Sequence, residues 1–85
     1  MNQSRPTINI MRKPETLKKL GLSKSTLHAR INDGLLPPPV SLGARAVGFI
    51  EHEIEAVLAA IVAEKSNDEI RNLVSNLVLQ RQIAA

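Results

Sequence analysis

The sequence predicts a mainly α fold: a winged helix-turn-helix with a small β-hairpin wing and an extra C-terminal helix. Three observations carry that expectation. Residues 14–33, PETLKKLGLSKSTLHARIND, hold two short helical segments pinched together at Gly21. Residues 40–49 place two short apolar runs on either side of Gly43-Ala44-Arg45. From Glu51 onward, apolar residues recur at helical spacing in two longer stretches.

Residues 1–7 read as a flexible, polar N-terminal arm carrying Arg5 and Pro6. Ile8 and Ile10 alternate with Asn9, the pattern of a brief strand. Pro14 suits the first turn of a helix, where its missing N–H has no partner to lose, and Glu15 favours the positive end of the helix dipole. The first helix therefore covers about 14–20, with Leu17 and Leu20 on one face. Gly21 takes the left-handed conformation that ends such a helix, and the Ser23 hydroxyl caps the next one. That second helix covers about 24–32, turns Leu27 and Ile31 toward the first, and stops at Gly34. So tight a turn makes the helices cross steeply, which is the geometry that lets a second helix enter a DNA major groove.

Pro37, Pro38 and Pro39 remove backbone donors and impose an extended course. Val40-Ser41-Leu42 and Ala46-Val47-Gly48-Phe49 then flank the turn as a hairpin would, with Arg45 the charge at its tip and Phe49 directed to the core. Ile54, Val57, Leu58, Ile61 and Val62 form the stripe of a third helix. Ser66 and Glu69 have capping-box spacing, so a fourth helix starts there with Ile70, Leu73, Val74, Leu77 and Val78 on one face. Burying five such side chains is worth roughly 7–15 kcal/mol gross, at ~1.5–3 each. Two fates are open to that face: folding back on the third helix, or forming the seam of a homodimer. The chain thus divides into the arm at 1–7, a winged helix-turn-helix domain at 8–65 and a C-terminal amphipathic helix at 66–85.

Charge is unevenly distributed over the 85 residues. Residues 1–48 hold eight basic against two acidic side chains, a balance of +6, and residues 49–85 hold three against six, a balance of −3. The N-terminal half would attract phosphates and the C-terminal half would not. There is no cysteine, hence no disulfide framework or thiolate metal site. No apolar run nears the ~20 residues of a membrane span, and a cytoplasmic, nucleoid-associated protein is expected. Single-stranded nucleic acid is disfavoured because Phe49 is the only residue of the Phe, Tyr and Trp class on which a base would stack.

Catalytic readings fail on arrangement. Ser25, His28 and Asp33 include the residue types of a hydrolase triad, yet share one short helix with no oxyanion site. Glu51, Glu53 and Glu55 fit the dipole at a helix start. His28 and His52 lack neighbouring ligands that would suggest zinc. The expectation is no enzyme, no cofactor, no metal and no small-molecule substrate. On the second helix, one residue per ~100° sets Ser25, Ala29 and Asn32 opposite Leu27 and Ile31, with Thr26 and His28 on the flanks. The expected contacts with double-stranded DNA are Lys13, Ser23, Lys24, Ser25, Thr26, His28, Arg30, Asn32 and Arg45, with Lys18 and Lys19 as further phosphate partners.

Several of these residues also carry a family resemblance: Arg12, Pro14-Glu15, the run GLSKSTL at 21–27, Ile31, Gly34, Pro37, Val40, Leu42-Gly43, Arg45-Ala46-Val47 and the helix start at 51–58. Over roughly residues 8–62 the chain resembles the AlpA family of phage-type transcriptional regulators, related to excisionase and MerR-like winged-helix proteins. It departs from the family pattern at His28, where an aromatic residue is usual, at Ala29, where a basic one is usual, and at Phe49 and Val57, where Trp is usual. The resemblance implies a DNA-binding regulator of prophage or mobile-element genes, often an activator of an integrase or excision gene; residues after about 63 lie outside it, and the acidic C-terminal half, facing away from the duplex, is expected to be free to contact a second copy or RNA polymerase. Two alternatives stand beside it: an excisionase-like recombination directionality factor, and a helical protein–protein adaptor.

Overall fold

The computed structural model describes residues 8–84, with side-chain surroundings through residue 82; the arm at 1–7 lies outside them. In chain order the elements are β1 (Ile10–Met11), α1 (Lys13–Leu20), α2 (Lys24–Asn32), β2 (Val40–Gly43), β3 (Ala46–Ile50), α3 (Glu51–Val62) and α4 (Asn67–Ala84). The strands form one antiparallel sheet in the order β1-β3-β2. This is the expected mainly helical fold, with the β2–β3 hairpin in the place of the wing.

Details of the sheet differ from expectation. The first strand sits later than the Ile8–Ile10 alternation suggested, because Ile10 pairs with Ile50 and Met11 with Phe49. Met11 is the buried member, and Ile8 is exposed. Gly48 faces this pairing, and a Cβ there would collide with the Ile10 side chain and press on Leu42, so glycine is what lets β1 and β2 close over β3. Gly43 extends β2, leaving Ala44-Arg45 as the tip.

The core gathers Met11, Leu27, Leu36, Phe49, Ile54, Val57, Ile70, Val74 and Leu77. The proline-bearing segment is not a bare linker, since Leu36 and Pro37 are buried. Of the α3 stripe, Ile54 and Val57 are fully buried and Leu58 partly, whereas Ile61 and Val62 are exposed. Ile61 and Val62 therefore lie beyond the core that α4 covers, while Ala60 in the same turn still packs on it.

The apolar face of α4 is used within the single chain. Ile70, Val74 and Leu77 are buried and Leu73 and Val78 pack on the same core. The stripe specified that α4 must pack, and within the chain these five residues, named above for a homodimer seam, lie on the shared core with α3 as the neighbouring helix. At its start, Ser66 and Glu69 exchange the expected capping bonds, Ser66 N–H to Glu69 Oε1 at 2.9 Å and Glu69 N–H to Ser66 Oγ at 3.2 Å. Near its end, Arg81 donates to both Glu53 oxygens, at 2.8 and 2.6 Å, and to the Pro38 carbonyl at 2.8 Å. Glu53 is 1% exposed, so it is a buried anchor as well as an acidic residue in the first turn of α3. The carboxylate bonded to Arg81 raises that guanidinium above its ordinary value.

Candidate nucleic-acid interface

The turn between α1 and α2 is built from local chemistry. Gly21, at φ +69°, donates its N–H to the Leu17 carbonyl at 2.8 Å, and Leu22 N–H reaches the same oxygen at 3.1 Å. These bonds close α1 in the manner of a left-handed C-terminal cap. Two residues later the Ser23 oxygen accepts from the Thr26 backbone N–H at 3.3 Å and its hydroxyl bonds the Thr26 hydroxyl at 2.9 Å. Of the expected contact residues, Ser23 and Thr26 thus have a structural duty in shaping the helix start.

From this anchored start, α2 presents two unlike faces. Leu27 is fully buried and Ile31 packs on the core, while Lys24, Ser25, His28, Ala29 and Asn32 are exposed. One helix therefore has an inner side fixed by apolar packing and an outer side of hydroxyl, imidazole, methyl and amide groups. Such groups are short enough to approach base edges without reaching past them. Arg30 lies on the flank rather than the outer face; it is half-buried, and its Nε has no hydrogen-bond partner among the described residues.

The structure also brings together two expected contact residues from different helices. Lys13 Nζ lies 3.2 Å from His28 Nε2, so the ammonium donates to the imidazole across the α1–α2 crossing. Lys19, by contrast, is engaged elsewhere: it pairs with Glu55 of α3 at 3.0 Å. That hydrogen bond raises its ammonium above the usual lysine value and makes Lys19 a link between α1 and α3. Arg45 is exposed at the hairpin tip, beside Ala44 in the left-handed region at φ +49°.

Ser25 Oγ lies near Ser23 Oγ at 3.4 Å and the His28 ring meets Lys13. Among the described residues, no group of three or more His, Cys, Asp or Glu side chains could hold a metal ion, and no helix is long and apolar enough to cross a membrane.

One contact was invisible to local sequence reasoning. Arg71 of α4 donates from Nε to the carbonyl of Asp33 at 2.9 Å, at the C-terminal end of α2. Gly34 marks that end in the sequence, but nothing nearby in the chain says which side chain will meet its free carbonyls.

A family model for the prophage CP4-57 regulatory protein (AlpA) matches residues 9–59, from the approach to β1 into α3, and so covers both the helix-turn-helix and the hairpin. The chain belongs to the AlpA family. This is a family of regulators rather than of enzymes. Among similar proteins, the AlpA-family chain is 40% identical over 53 residues to the uncharacterized protein ORF88 of Enterobacteria phage P4, a match covering 62% of this chain and 60% of that relative. It is 31% identical over 62 residues to the DNA-binding transcriptional activator AlpA of Escherichia coli (strain K12), covering 66% of this chain and 89% of that protein. No solved structure matches the chain. Helix α4 lies beyond the stretch that the AlpA family model covers.

Proposed function

We propose that this chain is a DNA-binding regulator that reads a duplex site with α2 and controls transcription of a prophage or mobile-element gene. The observation that carries the reading is the solvent face of α2: Lys24, Ser25, His28, Ala29 and Asn32 are uncovered while Leu27 behind them is fully buried. A helix held so rigidly from one side is suited to lie in a major groove. Membership of a family that includes a named DNA-binding transcriptional activator supports the same reading.

In this mechanism Lys13, Lys18, Lys24, Arg30 and Arg45 contact phosphates and set the register, and Ser25, His28 and Asn32 meet base edges. Arg45 follows the adjacent backbone or enters the minor groove. Ser23 and Thr26 act mainly through the turn they cap. The acidic α3–α4 half faces away from the duplex, where RNA polymerase would be met. A second copy on a neighbouring half-site would use a surface other than the buried α4 stripe.

Selection of bound sequences from a random duplex pool tests the proposal. It should return one enriched motif, and Asn32→Ala should then lower affinity for that motif roughly 5- to 30-fold while leaving random duplex little changed. With about five phosphates neutralised, the logarithmic salt slope should be near −4.5, from ~0.9 per phosphate. No enrichment together with a slope near zero would overturn the reading.

A further inference from the structure

The C-terminal end of α2 is where a recognition helix is least constrained, because its last carbonyls have no partner within the helix. Here an element from outside the family-matched stretch supplies one. Arg71 Nε donates to the Asp33 carbonyl at 2.9 Å, and the same guanidinium is oriented by Asp68, whose Oδ1 lies 3.3 Å from Nη1. Its alkyl stem runs past Gly34, where a Cβ would sit 3.7 Å from Arg71 Cγ. Gly34 is itself left-handed, at φ +77°. The α4 backbone that carries Arg71 is held in place, since Ile70 before it and Val74 one turn later are buried in the core and Arg81 fixes the far end of α4 on Glu53 and Pro38. A cation at this position also meets the negative end of the α2 dipole.

We infer that Arg71 is a positioning residue for DNA recognition: through the Asp33 carbonyl it fixes the angle at which α2 enters the groove. The inference rests on the reading of α2 as the DNA-contacting helix. Base-edge hydrogen bonds tolerate little misplacement, whereas phosphate contacts through long lysine and arginine side chains tolerate more. Loosening the C-terminal end of α2 therefore weakens sequence discrimination and leaves general DNA affinity in place.

The test compares Arg71→Ala, Arg71→Gln and Asp68→Asn in the full chain, each titrated with the selected duplex and with random duplex over a range of salt. Arg71→Ala should lower affinity for the selected duplex about tenfold, change random duplex less than about twofold, and leave the salt slope unaltered. Arg71→Gln, which keeps a donor for the Asp33 carbonyl, should recover part of the loss. Asp68→Asn, which leaves Nε in place, should act in the same direction more weakly and serves if the alanine variant does not fold. An equal loss on both duplexes with a slope shallower by about one would mean that Arg71 touches phosphate directly and would overturn the inference. So would a lowered melting temperature with both affinities unchanged. If the unmodified chain failed to prefer its selected duplex, the reading of α2 would fall first and this inference with it.

Discussion

On the helix-turn-helix half, Lys24 and Arg45 reach solvent and form no ion pair among the described residues, and among those residues no element covers the outer face of α2. On the α3–α4 half the charges close on one another: Glu53 with Arg81 in the interior, Asp68 with Arg71 at the surface. Lys19 with Glu55 ties α1 to α3. The two halves thus use ionic side chains for different ends. Cations left open in a +6 region offer themselves to a polyanion, and cations closed by carboxylates hold the frame that presents them. Substitutions at Glu53, Arg81 and Glu55 should act on stability and those at Lys24 and Arg45 on binding, while Arg71 and Asp68, which brace α2, should act on discrimination between duplexes.

The largest expected effect is at Glu53. Replacing it by Ala strands the Arg81 guanidinium against the core and removes two bonds of a bidentate pair, a loss of about 3 kcal/mol in chemical denaturation. Replacing both partners by apolar residues should restore much of that loss, and recovery of stability in the double variant separates a buried ion pair from a simple packing role. Next is Gly48→Ala, whose Cβ would meet Ile10 and the Met11 carbonyl; about 1–2 kcal/mol is expected, read in thermal unfolding, with β1 amides losing protection from hydrogen exchange first.

These two positions also show why part of the fold was not legible in the sequence. Helix α2 was readable to the residue because its signals are local: Gly21 stops α1, Ser23 caps α2 and Gly34 follows its end. The Ser66–Glu69 box was readable for the same reason. The Glu53–Arg81 pair joins residues 28 apart, and β1 pairs with a strand some forty residues away, so neither leaves a local pattern. The stripe of α4 was visible, but periodicity states that a face must be buried and not what covers it. Among the site residues, the face of α2 followed from helical geometry, whereas the Lys13–His28 contact and the Arg71 brace depend on how helices cross.

A smaller effect is expected at Glu64, which ends α3 in the left-handed region at φ +57°. Glu64→Gly should relieve that conformation and stabilise the chain by about 0.5–1 kcal/mol in denaturant titration, with DNA affinity unchanged because the turn lies on the framework half. The smallest concerns acid. The Ser66 backbone N–H, and after it the Ser66 hydroxyl, hold the Glu69 carboxyl below the usual carboxylate value. A depressed folded value means that Glu69 contributes stability above the unfolded value and loses it as pH falls through the folded one. Glu69→Gln should therefore lower stability slightly at neutral and alkaline pH and converge with the unmodified chain in acid, so that the acid limb of the profile is flatter.

The central claim, that the outer face of α2 is the surface a duplex occupies, is tested most directly by amide NMR of the labelled chain titrated with its selected duplex at low ionic strength. The account predicts shifts concentrated at residues 24–32 and around Arg45, with the exposed faces of α3 and α4 undisturbed. Shifts confined to α3 and α4, or none at residues 24–32, would contradict it.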